Sequence, residues 1–271
     1  MSEPETAVRL APTVYDPAPK LGDPAEDYHE ASKLQPSTLA RELRGIARLE
    51  QRPSLQRAAT RSVRRHRALP RVVLPAPDLP GRPLAEVLAG RRSTRSFSPV
   101  SLTLAQVATL LWAAYGATAG PGSQALDRPQ PRTAPSAGAL YPLELYIAPL
   151  RVQGLRPRIH HYDPLDHALE EHAVDALLDG LSPDPCLPGT SAVVVFIAAV
   201  FWRSRFKYGM RAYRLTLLEA GHAAQNLLLA ADASGLGAVV AGGFFDDRVD
   251  RLLGLDGVDE STLVGVCLGA R

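Results

Sequence analysis

Of the 30 basic residues in this 271-residue chain, only Lys20, Lys33 and Lys207 are lysines. Lys207 stands in a run otherwise made of arginine and aromatic residues: Phe201-Trp202-Arg203-Ser204-Arg205-Phe206-Lys207-Tyr208-Gly209-Met210-Arg211. A guanidinium stays protonated at physiological pH, whereas burial and cationic neighbours bring an amine within reach of deprotonation. A lysine set among Arg203, Arg205 and Arg211 therefore marks a place where a base is useful. The plain alternative is one more surface cation.

Three other groupings carry chemical possibilities. Arg91-Arg92-Ser93-Thr94-Arg95-Ser96-Phe97 puts three guanidiniums and three hydroxyls at a helix end. Arginine forks match phosphate oxygens and hydroxyls add donors, so this is an anion site or an exposed basic turn. Arg132-Thr133-Ala134-Pro135-Ser136-Ala137-Gly138-Ala139-Leu140-Tyr141-Pro142 is rich in small residues that let a flat ring approach the backbone, with Ser136 able to bond a heteroatom. Gly242-Gly243, after the apolar run GAVVA, permits close ligand contact at a strand end. No GxGxxG fingerprint and no P-loop occurs in the chain.

Several titratable groups read as structural. His160, His161, His167 and His172 have no HxxxH spacing on a helix and no carboxylate partner pattern, so no metal is expected. Glu219, His222, Gln225 and Asn226 share roughly one side of a long helix and are read as a polar cluster in a subunit interface rather than a proton relay. Cys186 and Cys267 are far apart and match no metal or redox spacing.

The elements that must position these groups follow from periodicity. Residues 1–36 read as an arm rich in proline and acids, and 37–83 as a basic helical extension divided near Pro53, then a proline-rich surface connector. The compact domain is expected over 84–271. It opens with a helix from Leu84 to near Gly90. Thr103 then caps a helix that ends at Gly116, and a mobile loop covers 117–131. Strands are expected at 139–150, 158–164 and 191–201, the last buried on both faces, and a helix of moderate quality at 167–181. A long helix over 213–233, apolar nearly all round, precedes a strand at GAVVAGG, a short helix, and a final strand at STLVGVCLG. The mixed order indicates an α+β fold.

Charge is unevenly placed. Ten arginines lie between Arg41 and Arg71 against Glu42 and Glu50, so this stretch is about +8 and, with a total of +2, the remainder is about −6. No aromatics interleave the basic run, so a solvated helical face is favoured over nucleic-acid binding. No apolar run approaches the length of a membrane span, and the acidic start with no apolar h-region is unlike a signal peptide. A cytoplasmic protein is the expectation.

Taken in order, RRSTRSF, LLWAAYG, RTAPSAGALYPLELYI, LLEAGHAAQNLLLAA and GGF resemble the nitroreductase superfamily over about residues 84–271, with YHEASKL as a fainter upstream echo. The closer resemblance is to the SagB-type dehydrogenases of thiazole and oxazole biosynthesis, which carry a Lys-Tyr pair where this chain has Lys207-Tyr208. The resemblance implies a nitroreductase fold with a mixed central sheet flanked by helices. It implies FMN as cofactor and a homodimer that builds the flavin site across two subunits. The implied reaction oxidises thiazolines or oxazolines in a precursor peptide to azoles. Lys207 would remove a ring proton, Tyr208 would share the transfer or orient the ring, and a hydride would pass to flavin N5.

By the same resemblance, Arg91, Arg92, Ser93 and Arg95 hold the phosphate and ribityl end of FMN. Pro135, Ser136 and Gly138 line the flavin, and Gly242-Gly243 face N5. Many relatives add basic phosphate ligands beyond the last strand; here only Arg271 can play that part. Dioxygen is the implied final acceptor and a cyclodehydratase the implied partner, with the basic N-terminal region, including Arg57, Arg61, Arg64 and Arg65, as a docking surface for it or for an acidic leader. The alternatives are an NAD(P)H-dependent nitro or quinone reductase and a flavin-free peptide-binding scaffold.

Overall fold

The computed structural model describes residues 23–37, 39, 44–52, 54, 64–119, 130–183 and 187–271. Pro53, Arg57, Arg61, Cys186 and most of the loop expected at 117–131 lie outside these residues. The described elements, in chain order, begin with α1 (Pro24–Ala31), α2 (Arg44–Glu50), β1 (Arg71–Val73), α3 (Leu84–Gly90) and α4 (Leu104–Tyr115). Next come β2 (Leu143–Pro149), β3 (Arg158–Asp163), β4 (Ala168–Asp175), β5 (Val193–Val200) and α5 (Trp202–Tyr208). The chain closes with α6 (Arg211–Ala233), β6 (Leu236–Ala241), α7 (Asp246–Leu253) and β7 (Glu260–Ala270).

Among the described residues the strands form one sheet in the order β1-β4-β3-β2-β5-β7-β6. Each of its named ladders is antiparallel. Parallel pairing in this α+β fold enters through isolated bridges, Ser93 with Ala238 and Leu102 with Val152. Helices cover both faces, so β2 is buried at every position and β5 at all but its last. Residues alternate across the pleat. Leu143, Leu145 and Ile147 of β2 join Leu111 and Tyr115 of α4 and Leu227 of α6 in one core. Tyr146 and Ala148 join Phe196, Phe97 and Val249 in the other.

Local signals place several elements where the sequence indicates. Thr103 and Gln106 form a reciprocal capping box at the start of α4. Two elements differ. The stretch expected as a helix at 167–181 is strand β4 over Ala168–Asp175. Its Ala, Leu and Glu content favours a helix locally, but β3 offers opposite charges in register, and burial against it outweighs propensity. Glu170 lies opposite His161, and Glu171 bonds Arg158 at 3.3 Å. The connector expected to run over the surface contributes β1, which pairs with residues 168–170 at the sheet edge.

The basic segment is partly internal. Arg64 pairs with Glu260 and donates to Tyr146 Oη at 3.0 Å. Arg65 reaches Asp163 and Asp166, each at 3.3 Å, and Arg71 reaches the same two acids at 3.3 and 3.1 Å. These arginines bind the extension to the sheet, so they are not available as the docking surface expected of them.

His161 sits at the centre of this attachment. It is fully buried, with Nε2 2.8 Å from Glu144 and Nδ1 3.0 Å from Glu170. The absence of a carboxylate partner, read from spacing, is thus corrected by the fold: strands β2 and β4 supply one on each side. Burial alone would push the imidazole down, but the two carboxylates outweigh it and hold its pKa at about 9. A raised pKa means the stabilisation is complete below the ordinary imidazole value and is lost as pH rises through about 9, a contribution on the order of 3 kcal/mol. The gap in melting temperature between the native chain and His161→Gln should therefore be wide at pH 7 and narrow by pH 10. A gap independent of pH would contradict a charged imidazolium.

Candidate functional site

Lys207 and Tyr208 occupy the last turn of α5, which leaves β5 at once and ends at Gly209. Gly209 adopts φ 55°, ψ −136°, a conformation that requires glycine and that turns the chain sharply into α6. The two side chains are half-buried and reach the turn 136–141. Gly138 lies directly beneath them at φ 63°. A Cβ there would stand 2.6 Å from Lys207 Nζ and 2.5 Å from Tyr208 Oη, so the pair rests where a side chain would be. Lys207 Nζ also lies 5.1 Å from the centre of the Tyr208 ring. Ala139 (φ 53°) and Tyr141 (φ 47°) hold left-handed backbone in the same turn, strain that persists only where surrounding contacts impose it.

Those contacts come from a buried layer below. Ser136 Oγ accepts from Tyr141 N at 2.9 Å. The Arg132 guanidinium stacks 4.3 Å from the Tyr115 ring centre and 4.7 Å from that of Tyr141. Tyr115 Oη donates to Glu219 and accepts from Leu143 N at 3.3 Å. Glu219 is buried; that burial raises its carboxyl to about 6, against the lowering effect of hydrogen bonds from Ser136 and Tyr115 and of the Arg132 charge. Helix α6 therefore divides the polar group read along it: Glu219 faces the site, Asn226 reaches Thr133 O at 3.4 Å, and His222 and Gln225 are exposed. The arginines expected around Lys207 have other partners. Arg203 pairs with Glu144, Arg205 lies over Trp202 and Arg211 donates to Ser32 O.

The second group forms at the other end of α6. After α3, Ser93 pairs with Ala238, Thr94 N donates to Ala238 O at 2.9 Å, and Ser98 N donates to Ala270 O at 2.9 Å. The segment lies flat on the sheet because Gly237 and Gly269, cross-strand partners, have no side chains. A Cβ on Gly237 would meet Thr94 Cγ2 at 2.7 Å, and one on Gly269 would meet Phe97 Cβ at 2.8 Å. Ser93 and Arg95 are exposed and Arg91 half-exposed, while Arg92 turns back onto the carbonyls of Ala89 and Arg91 at 2.8 Å. Gly242 and Gly243 are exposed past the end of β6, with open space above Gly242. Arg271 is held by Asp232 at 2.5 Å, beside Arg82. No hydrogen bond, ion pair or ring contact among the described residues joins the Arg91–Arg95 turn to Pro135–Gly138 or to Lys207–Tyr208. Glu219 and Asp232, which mark the two ends, are about 20 Å apart along the helix.

Arg91 and Arg95 form no ion pair among the described residues and, beside an exposed serine, fit a bound anion, and the exposed Pro135 leaves room for a flat ring. His66, His161 and Glu170 bring donor atoms within 4.8 Å of one another, with both His161 nitrogens already bonded to carboxylates.

The sequence profile of the Nitroreductase family matches residues 88–270. The chain belongs to that family. MJ1384 of Methanocaldococcus jannaschii, a protein named as a nitroreductase, is 35% identical over 182 residues, 65% of this chain and 87% of its own length. The microcin B17-processing protein McbC of Escherichia coli is 35% identical over 133 residues, 46% of this chain and 49% of McbC. A nitroreductase-family structure from Ralstonia eutropha superposes with a TM-score of 0.63 at 28% identity, over 74% of this chain and 89% of its own. The E. coli microcin synthetase complex McbBCD, solved with truncated pro-MccB17 bound, shares the fold at a TM-score of 0.58 and 24% identity over 92% of each chain.

Within this nitroreductase-family chain, Glu219, Tyr115, Arg132, Gly237 and Gly269 are site-building residues that sequence reasoning did not single out for that role. Two outcomes test them. Glu219 has a raised pKa, so its contribution to stability is complete below pH 4.5 and is lost as pH rises through about 6. Glu219→Gln should therefore stabilise the fold at pH 7.5 by up to about 2 kcal/mol relative to its effect at pH 4.5; a denaturant midpoint that shifts equally at both pH values would contradict this. Gly269→Ala should lower stability by about 1–3 kcal/mol through overpacking on Phe97, measured by urea unfolding, whereas Gly81→Ala should show no such loss because a Cβ there meets nothing within 4 Å.

Proposed function

We propose that this chain oxidises azoline rings of a precursor peptide to thiazoles or oxazoles as an FMN-dependent homodimer. The observation that carries the reading is the seating of Lys207 Nζ and Tyr208 Oη together on Gly138. A lone surface cation would have no reason to share a glycine-floored turn with a phenol. The similarity to McbC, named as a microcin B17-processing protein, supports a peptide as substrate. A homologue bound with its precursor peptide in McbBCD supports a synthetase setting with a cyclodehydratase partner.

FMN, when bound, supplies the hydride acceptor at N5. Arg91, Arg95 and Ser93 would hold its phosphate and ribityl end, and Arg92, bonded to the carbonyls of Ala89 and Arg91, would shape the turn from behind. Pro135, Ser136 and Gly138 would line its ring, and Gly242-Gly243 would approach its reacting side. Arg271 already shares its charge with Asp232 through Nη2, so it would be the weakest member of this set. Lys207 takes a proton from one ring carbon of the azoline as a hydride leaves the other, and Tyr208 holds the ring or relays the proton. Dioxygen completes the cycle as final acceptor. The separation of the two residue groups along α6 favours a homodimer in which one subunit's anion turn meets the other's Lys-Tyr turn. Exposed Leu217 and Leu218 on α6 give that contact an apolar face. No described helix is long and apolar enough to cross a membrane.

The long match to a protein named as a nitroreductase favours, as a second reading, an NAD(P)H-dependent reductase of nitro compounds or quinones. Absorption spectroscopy separates the two. The flavin spectrum of the purified protein should bleach anaerobically with an azoline-bearing peptide and not with NADPH, and Lys207→Ala should slow bleaching about 10²–10⁴-fold. Bleaching by NADPH alone moves the chain to the reductase class. A colourless protein that takes up no flavin leaves a peptide-binding scaffold.

A further inference from the structure

The extension before the sheet touches the Lys-Tyr element on both sides. On the near side, α2 lies against α5 with Gly45 at the contact. A Cβ on Gly45 would overlap the carbonyl oxygen of Phe206 and stand 2.7 Å from Lys207 Cα and 2.9 Å from Lys207 O. These are backbone atoms, which cannot swing aside as the end of a flexible side chain can. On the far side, α1 grips the start of α6 just after Gly209. Tyr28 Oη donates to Met210 O at 3.0 Å and accepts from Arg214 N at 3.1 Å. Buried Ser32 accepts from Arg214 Nε at 2.7 Å, and its carbonyl accepts from Arg211 at 3.3 Å.

Lys207 and Tyr208 thus lie between two anchor points supplied by a segment outside the family's matched region. Helix α5 has seven residues and no side-chain cap, too little to hold its last turn by itself. Arg203 and Ser204 tie the first turn of α5 to Glu144 and Thr216, whereas its last turn is met by α2 at Gly45 and by the floor at Gly138. We propose that helices α1 and α2 are a positioning clamp for the Lys207–Tyr208 pair, with Gly45 the residue whose missing side chain sets its depth. This rests on the reading of that pair as catalytic and adds the part that aims it.

Glycine in a helix is otherwise a disadvantage. Were α2 needed only as a helix, Gly45→Ala would strengthen it. The clamp requires the opposite, because the added methyl group pushes α5 away from α2. In the flavin-loaded full chain, Gly45→Ala should lower kcat for azoline oxidation about tenfold or more while leaving KM within about twofold, since a displacement near 1 Å is enough for such losses. Tyr28→Phe, which keeps the ring and removes one anchor, should lower kcat about two- to threefold.

A readout independent of turnover is available because the chain has only three lysines. Labelling lysine with ¹³C at Cε gives three resonances, assigned by single Lys→Arg exchanges. Gly45→Ala should move the Lys207 resonance. A Lys207 resonance and kcat both unchanged in Gly45→Ala and Tyr28→Phe would overturn the clamp. If Lys207→Ala retains full azoline oxidation, the catalytic reading fails by itself, whatever the resonance does.

Discussion

A single buried carboxylate ties the architecture together. Glu144, near the start of β2, is 3% exposed and pairs through Oε1 with Arg203 of α5 and through Oε2 with His161 of β3. The backbone N–H of Arg64, in the extension, donates to the same Oε1 at 3.1 Å. Burial alone would raise this carboxyl, yet Arg203 and His161 hold it well below the usual carboxylate range. A buried charge is costly unless paired and bonded, and here each partner lies on a different piece of the structure. Removing any one leaves the others uncompensated. The sheet, the helix that bears Lys207 and the incoming extension are therefore held in one mutual arrangement.

Around that tie, the site is built by close approach. Gly138 leaves space for two side chains; Gly237 and Gly269 leave space for those of Thr94 and Phe97. Glycine at such positions loses more entropy on folding than other residues, and the return is geometry no side chain would permit. The left-handed Ala139 and Tyr141 add strain to the same turn, sustained by the stacked Arg132 and the Tyr115–Glu219 bond beneath it. Polar groups below an exposed, glycine-floored turn give a rigid base with an open surface, which suits the flat ring and the peptide that the proposed function would bring there.

Helix α6 sets the distance between the chemical end and the anion end. It carries Glu219 under the Lys-Tyr turn and Asp232 beside Arg82, Gly90 and Arg271, which come from two distant parts of the chain. A single rigid helix cannot bring its own ends together. In the function proposed for this chain, an elongated cofactor or a second subunit would bridge what α6 keeps apart.

Much of this was legible in the sequence. The capping box at Thr103, the β-branched run of β5, the order of the RRSTRSF, PSAG and GGF motifs, and the oddity of one lysine among arginines are local patterns, and local patterns report local structure and residue chemistry directly. What they leave open is any contact between residues far apart in the chain. The sequence could not show that 168–175 is a strand, because its partner charges lie on β3. Nor could it show that His161 meets two carboxylates, that Arg64 and Arg65 point inward, or that Gly45 rests on Lys207. Propensity and periodicity are sums over neighbours in sequence. Burial, ion pairing and steric fit are set by neighbours in space, and only the folded chain determines which those are.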